Sequence, residues 1–227
     1  YRLLSNEKFD VWAYFALWIP YLIGLRKEVI VAMDWTEFDK DDQSTIALYL
    51  VTKHGRATPL LWKTVVKSEL KGWRNAHENE VLIKLQECIP KGVNVTILAD
   101  RGFGDQKRYR FLDKLNFDYV VRFRQGIHVE SEGGETRKAA DWVAKNGRAK
   151  MLNNAKVTGK KSKVNAVVCV KRARMKEAWC LATSLGDKKA SEIINLYSRR
   201  FTIEETFRDT KDIRFGMGLA QAIVRNP

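Results

Sequence analysis

Three carboxylates stand out by where they fall. Asp34 closes the apolar run VIVAM, Asp100 closes VTILA, and Glu204 lies in YSRRFTIEETFRDTK (197–211). An aspartate placed where a buried strand emerges is displayed on a rigid support. Two such carboxylates at neighbouring strand ends repel one another unless a cation sits between them. Hard divalent ions such as Mg²⁺ take oxygen ligands of this kind. A third carboxylate completes a site able to hold two ions for in-line phosphoryl transfer. The plainer role for either aspartate alone is to cap the turn that follows.

The 197–211 stretch adds phase to this set. On a continuous helix at about 100° per residue, Tyr197, Arg200, Glu204 and Lys211 fall at roughly 0°, 300°, 340° and 320°, within one stripe about 60° wide. Leu196, Ile203 and Phe207 flank the stripe on one side, Ile194 and Phe201 on the other. The ionisable residues therefore run down the apolar face, where charge is costly unless paired or metal-bound. Glu205 lies about 100° round the helix and off that stripe. The competing reading is a buried Arg–Glu pair that only fixes packing.

The elements that must carry these residues follow from periodicity. The sequence predicts strands at 28–35, 44–52, 93–100, 117–124, 164–170 and 178–184, and helices at 76–88, 107–115 and from about Asp187 or Ser191 to Arg214. HGRATPL (54–60) reads as a loop, and Gly216 and Gly218 as helix stops. Residues 11–25 are an uninterrupted apolar run, but a membrane span needs roughly 20 such residues. Pro20 also interrupts it, so a buried helix or packed arm is expected rather than a membrane anchor or signal peptide. Texture changes at 125–163, and from Arg148 to Lys176 there are ten Lys/Arg and no Asp or Glu. A β-rich insertion with a basic face is expected there, a solvated charge run being the alternative.

The 227 residues carry a formal charge of +14, 45% hydrophobic and 30% charged residues. That excess of cations favours a polyanionic partner, nucleic acid first. Cys88, Cys169 and Cys180 form no CxxC, and His54, His77 and His128 are scattered, so neither a disulfide framework nor a zinc site is indicated. The chain opens at Tyr1 without methionine and stops at Pro227, and reads as a fragment.

Tyr197–x2–Arg200–x3–Glu204–x6–Lys211 resembles the "YREK" signature of bacterial insertion-sequence transposases, cut-and-paste enzymes with an Asp-Asp-Glu triad. AMDWTEFD, HGRATPLLWK, ADRGFGD and WCLATS are similar to further blocks of that family, from about Val29 to Leu219. The resemblance implies an α/β, RNase H-like core with a β-rich insertion between the second Asp and the Glu helix. The parts would be an N-terminal arm (1–27), the first part of the core (28–124), the insertion (125–184) and the Glu helix (185–227). It implies that Asp34, Asp100 and Glu204 hold Mg²⁺, with Mn²⁺ able to substitute. Tyr197, Arg200 and Lys211 would contact phosphates of double-stranded DNA at the cleaved end. Trp179 is similar in position to a tryptophan that stacks on a flipped base, its alternative being a core role. Arg122 resembles a strand arginine near DNA, and Arg101 would reach phosphate or pair with the triad.

The implied activity is cleavage at transposon ends and strand transfer into target DNA, through a DNA hairpin. The expected setting is the bacterial cytoplasm, at the nucleoid when bound to DNA. A homodimer is expected in the synaptic complex. The N-terminal end-recognition domain and C-terminal dimerisation segment usual in the family have no counterpart in this sequence. An inactive remnant that binds DNA, or a nuclease without joining activity, are the other readings.

Overall fold

The β-branched run after Lys27 forms the longest strand, β1 (Glu28–Phe38). It pairs antiparallel with β2 (Gln43–Val51) across a tight turn whose Asp42 adopts a left-handed conformation, φ 51°. The structure, a computed structural model, describes residues 10–53, 55–214, 216 and 218. β3 (Ala57–Val66), β4 (Asn94–Ala99), β5 (Asp118–Phe123), β8 (Lys150–Asn153), β11 (Ala166–Val170) and β12 (Trp179–Thr183) complete an eight-stranded sheet of order β3-β2-β1-β4-β5-β12-β11-β8. β1, β4 and β5 run parallel and the other pairings are antiparallel.

β3 corrects the loop reading of 54–60: the strand begins at Ala57 and holds Pro59 opposite Tyr49, beside a register shift at Leu48/Tyr49. Proline lacks the N–H a central strand needs, and β3 tolerates it because it is the sheet edge. His54 lies outside the described residues.

Alternating side chains give the sheet two packed faces. Val29, Val31 and Met33 point to one face, against α1 (Val11–Ile23), α2 (Arg74–Cys88) and α3 (Gln106–Lys114). Ala32, Leu98, Val120 and Leu181 point to the other, against α4 (Ala190–Ser198) and α5 (Phe201–Lys211). The helix at 11–23 continues through Pro20, capped by Asp10, and buries only Phe15, Ile19 and Ile23. Its other side leaves Leu17, Tyr21 and Leu25 exposed, so the run is packed on one face rather than sealed. Among the described residues no helix is long and apolar enough to cross a membrane.

The stretch 125–184 divides between two sheets. β6 (His128–Glu130), β7 (Thr136–Lys138), β9 (Lys156–Val157) and β10 (Ser162–Lys163) form a small separate sheet. β8, β11 and β12 instead extend the main sheet beyond β5. Residues 166–170 are buried throughout, as a strand covered on both faces requires, and that apolar run has no place on a solvated sheet.

The single long helix expected to Arg214 is two helices. α4 ends at Ser198 and α5 starts at Phe201, with three-residue hydrogen bonds such as Arg200 N to Tyr197 O (2.9 Å) tightening the join. α5 stops at Lys211, with Asp212 extended after it, ahead of the glycines expected to end it.

Candidate active site

The strand register brings the aspartates together. Met33 is beside Ala99 and Ala99 beside Val121, so Asp34, Asp100 and Arg122 follow one step on in neighbouring strands. They point to the same face as Ala32, Leu98 and Val120, the face that α5 covers. Arg122 in turn pairs with Leu181 on β12, and Trp179 lies two residues away on that strand. One row across the sheet thus carries two carboxylates and an arginine, with an aromatic two residues along the neighbouring strand.

Glu204 meets this row through Arg200. The buried Arg200 guanidinium donates to Asp34 Oδ2 at 3.0 Å through Nη1, and to Glu204 Oε1 through Nη2. Burial pushes the Asp34 carboxyl up to about 6; Arg200 opposes this, while Asp100 and Glu204 add to it. Each aspartate also serves its own turn. Asp34 Oδ1 accepts from Trp35 N at 2.9 Å and Asp100 Oδ1 from Gly102 N at 2.7 Å. Gly104 is required by close approach: a Cβ there would lie 2.7 Å from Arg122 O and 2.9 Å from Phe123 Cβ. That contact seats the RGFGD turn after Asp100 directly on β5.

The remaining predicted residues divide. Tyr197 is fully buried, its hydroxyl lacks a well-formed hydrogen bond, and burial raises its pKa. Its ring meets Trp179 edge-on at 5.0 Å, and Trp179 stacks on the partly exposed Phe201 at 5.8 Å and 29°. Lys211 lies apart from the carboxylates, donating to Glu37 O at 2.8 Å and resting over Phe38. Arg101 and Arg122 are both held by Glu177, which sequence reasoning did not single out. It is the one carboxylate in KRARMKE (171–177), and that isolation was the available signal.

The donor set suits a hard divalent ion: three carboxylates, one of them desolvated and raised by its neighbours, are short of positive charge. Among the described residues no three His, Cys, Asp or Glu side chains stand close enough to hold a metal jointly. Arg200 fills the space between Asp34 and Glu204, so the present arrangement balances the carboxylates with a guanidinium.

A large mixed sheet with Asp34 and Asp100 at adjacent strand ends, and α5 packed over that face, defines the chain as a mixed α/β domain. The chain belongs to the transposase DDE domain family, whose profile matches residues 26–223. A comparison with curated protein sequences gave no match. Among solved structures, the chain is similar to Marinitoga piezophila Argonaute with a 5′-OH guide RNA, at 12% identity, over 78% of this chain and 26% of that one, TM-score 0.30. The same Argonaute with guide RNA and target DNA gives 14% identity, 85% and 30% coverage, and a TM-score of 0.29. Likeness this slight carries no argument.

Proposed function

We propose that this chain is the catalytic core of a cut-and-paste transposase, with an RNase H-like sheet carrying Asp34, Asp100 and Glu204 as its catalytic carboxylates. The observation that carries the reading is one buried arginine, Arg200, paired with both Asp34 and Glu204, with Asp100 set beside Asp34 by the strand register. Mg²⁺ or Mn²⁺ bound by them would supply the positive charge that activates an attacking oxygen and stabilises the leaving one. Asp34 and Asp100 hold their positions because each is tied to its own backbone turn. Arg200 leaves the carboxylates and turns its fork to a DNA phosphate, for which guanidinium geometry is suited. Lys211 supplies a point charge further along the same strand. Trp179, stacked on Phe201, offers an aromatic surface for a base taken out of the helix.

The substrate is a phosphodiester at a transposon end. Water attacks first and frees a 3′-hydroxyl, which attacks the opposite strand to give a DNA hairpin; a second water opens that hairpin, and the 3′-hydroxyl so regenerated attacks the target strand. Paired-end cutting requires two copies of the chain on DNA.

Glu204→Gln tests the reading on duplex carrying the element's ends. Cleavage is expected to vanish while duplex binding stays within about two-fold, a surface change being worth about 0.5 kcal/mol at most. Cleavage retained in this variant overturns the triad. A wild-type chain that binds duplex but never cuts it with either metal is instead a DNA-binding remnant. Cut ends that never join target DNA mark a nuclease.

A further inference from the structure

Glu177 closes the segment KRARMKE between β11 and β12, where it follows four cations. It pairs across the molecule with two arginines from other elements. Its Oε2 accepts from Arg122 Nη2 at 2.6 Å and from Arg101 Nη1 at 3.1 Å. Arg101 follows Asp100 directly. Arg122 stands in the row with both aspartates, on the face covered by α5. Around them Arg101, Arg122, Phe123, Arg124, Gln125 and Glu177 line a hollow of about 260 Å³.

One carboxylate oxygen shared by two guanidiniums is the arrangement an anionic phosphodiester oxygen makes with paired arginines. Arg122 is fixed independently of Glu177, on a central strand and only 16% exposed. The Arg101 turn is seated on β5 by Gly104, while its side chain is 54% exposed. The Glu177 side chain is 49% exposed and comes from a loop, so it can leave Arg122 without disturbing the sheet. The Arg122 and Arg101 guanidiniums hold its carboxyl below the usual range, so it stays anionic near neutral pH.

We propose that Arg101 and Arg122 form a seat for a DNA backbone phosphate and that Glu177 occupies this seat as an intramolecular stand-in until DNA displaces it. The inference rests on the transposase reading for the identity of the anion. It adds a contact that holds the DNA-binding face closed in the free chain. The cost of removing Glu177 from the seat is subtracted from DNA affinity.

The test is fluorescence anisotropy with a labelled duplex of arbitrary sequence in EDTA, using the full chain. Glu177→Gln is expected to tighten binding about two- to five-fold, the range expected of an exposed ion pair. The gain is expected to disappear in Glu177→Gln/Arg101→Gln and in Glu177→Gln/Arg122→Gln. Glu87→Gln removes one negative charge from the opposite face of the sheet and is expected to leave affinity unchanged. An equal gain from Glu87→Gln, or a gain that survives in both double variants, is a net-charge effect and overturns the proposal. Wild-type binding with no gain in Glu177→Gln overturns it while leaving the transposase reading intact. No duplex binding by any variant removes the transposase reading and this inference together.

Discussion

Arg108 and Arg200 are both nearly sealed guanidiniums, on opposite faces of one sheet, and they keep different company. Arg108 and Glu78 are each 4% exposed and paired one to one. Asn79 Oδ1 accepts from Arg108 Nη1 at 2.7 Å, and Trp35 Nε1 donates to Glu78 Oε1 at 2.8 Å. Arg200 instead serves Asp34 and Glu204, with Asp100 in its field, and Glu204 is 49% exposed. Both leave Nε unpaired, but only the second cluster adds a buried tyrosine hydroxyl without a well-formed bond. Asp34 and Trp35 are consecutive on β1 and so point into the two clusters from opposite sides. The closed cluster fixes where β1 sits. The open one has more negative charge than its arginine can match.

The contrast breaks first at Arg108. Arg108→Met strands Glu78 in the interior and is expected to cost about 3–5 kcal/mol in urea unfolding. A loss under about 1 kcal/mol would mean that the closed cluster does not anchor β1. The open cluster is expected to answer to ions. At a hundred times its dissociation constant, Mn²⁺ should stabilise the wild-type chain by about 2.7 kcal/mol in thermal melts. Asp34→Asn and Glu204→Gln should abolish that gain, while Glu78→Gln should not.

A third carboxylate sharpens the comparison by pH. Glu130 on the small sheet is enclosed by accessible area but lies at a rim, and Lys156 and Lys161 lower its pKa to about 2. A lowered carboxylate pKa stabilises the fold above the unfolded value of 4.5, and that contribution is lost as pH falls towards about 2. Acid unfolding of Glu130→Gln should lack this component. The smallest effect is expected at Glu205, whose partner Arg208 is also exposed. Glu205→Gln should change stability by less than about 0.5 kcal/mol.

Much of the site was legible because strand ends and apolar runs are local properties. Asp34 and Asp100 were visible as carboxylates ending β-branched runs, and register then placed them side by side. Glu204 was selected by helical phase, yet the helix that justified the phase is broken at Arg199–Arg200. Glu204 still meets Arg200 because Arg199 and Arg200 keep right-handed helical angles through the join. Lys211, twelve residues beyond the break's start, is where the extrapolated stripe departs from the carboxylates. β3 was hidden by Pro59, whose tolerance depends on the strand being an edge, a property of the sheet and not of the segment. The Glu78–Arg108 cluster did leave a trace. Glu78 falls three, four and seven residues before Val81, Leu82 and Leu85, on the buried stripe of α2. Its partner thirty residues away did not, because pairing across the fold has no sequence period.

The join at Arg199–Arg200 separates two helices anchored to different degrees. α4 buries Ile193, Ile194 and Tyr197, whereas α5 buries Ile203 alone. Its other contacts are ring packing at half-buried positions, Phe207 edge-on to Tyr49 at 5.3 Å and Phe201 on Trp179, and polar ties: Arg56 on Asp209 at 2.5 Å, Ala57 N on Thr206 Oγ1 at 2.9 Å, and Lys211 on Glu37 O. Local opening free energies follow buried apolar contact. Amide protons along α5 are therefore expected to exchange faster than those of α4 and β1 in native-state hydrogen exchange. Glu204 rides on the less anchored segment and the two aspartates on the sheet, so a local opening of α5 would part Glu204 from Asp34 and Asp100 within a chain that stays folded.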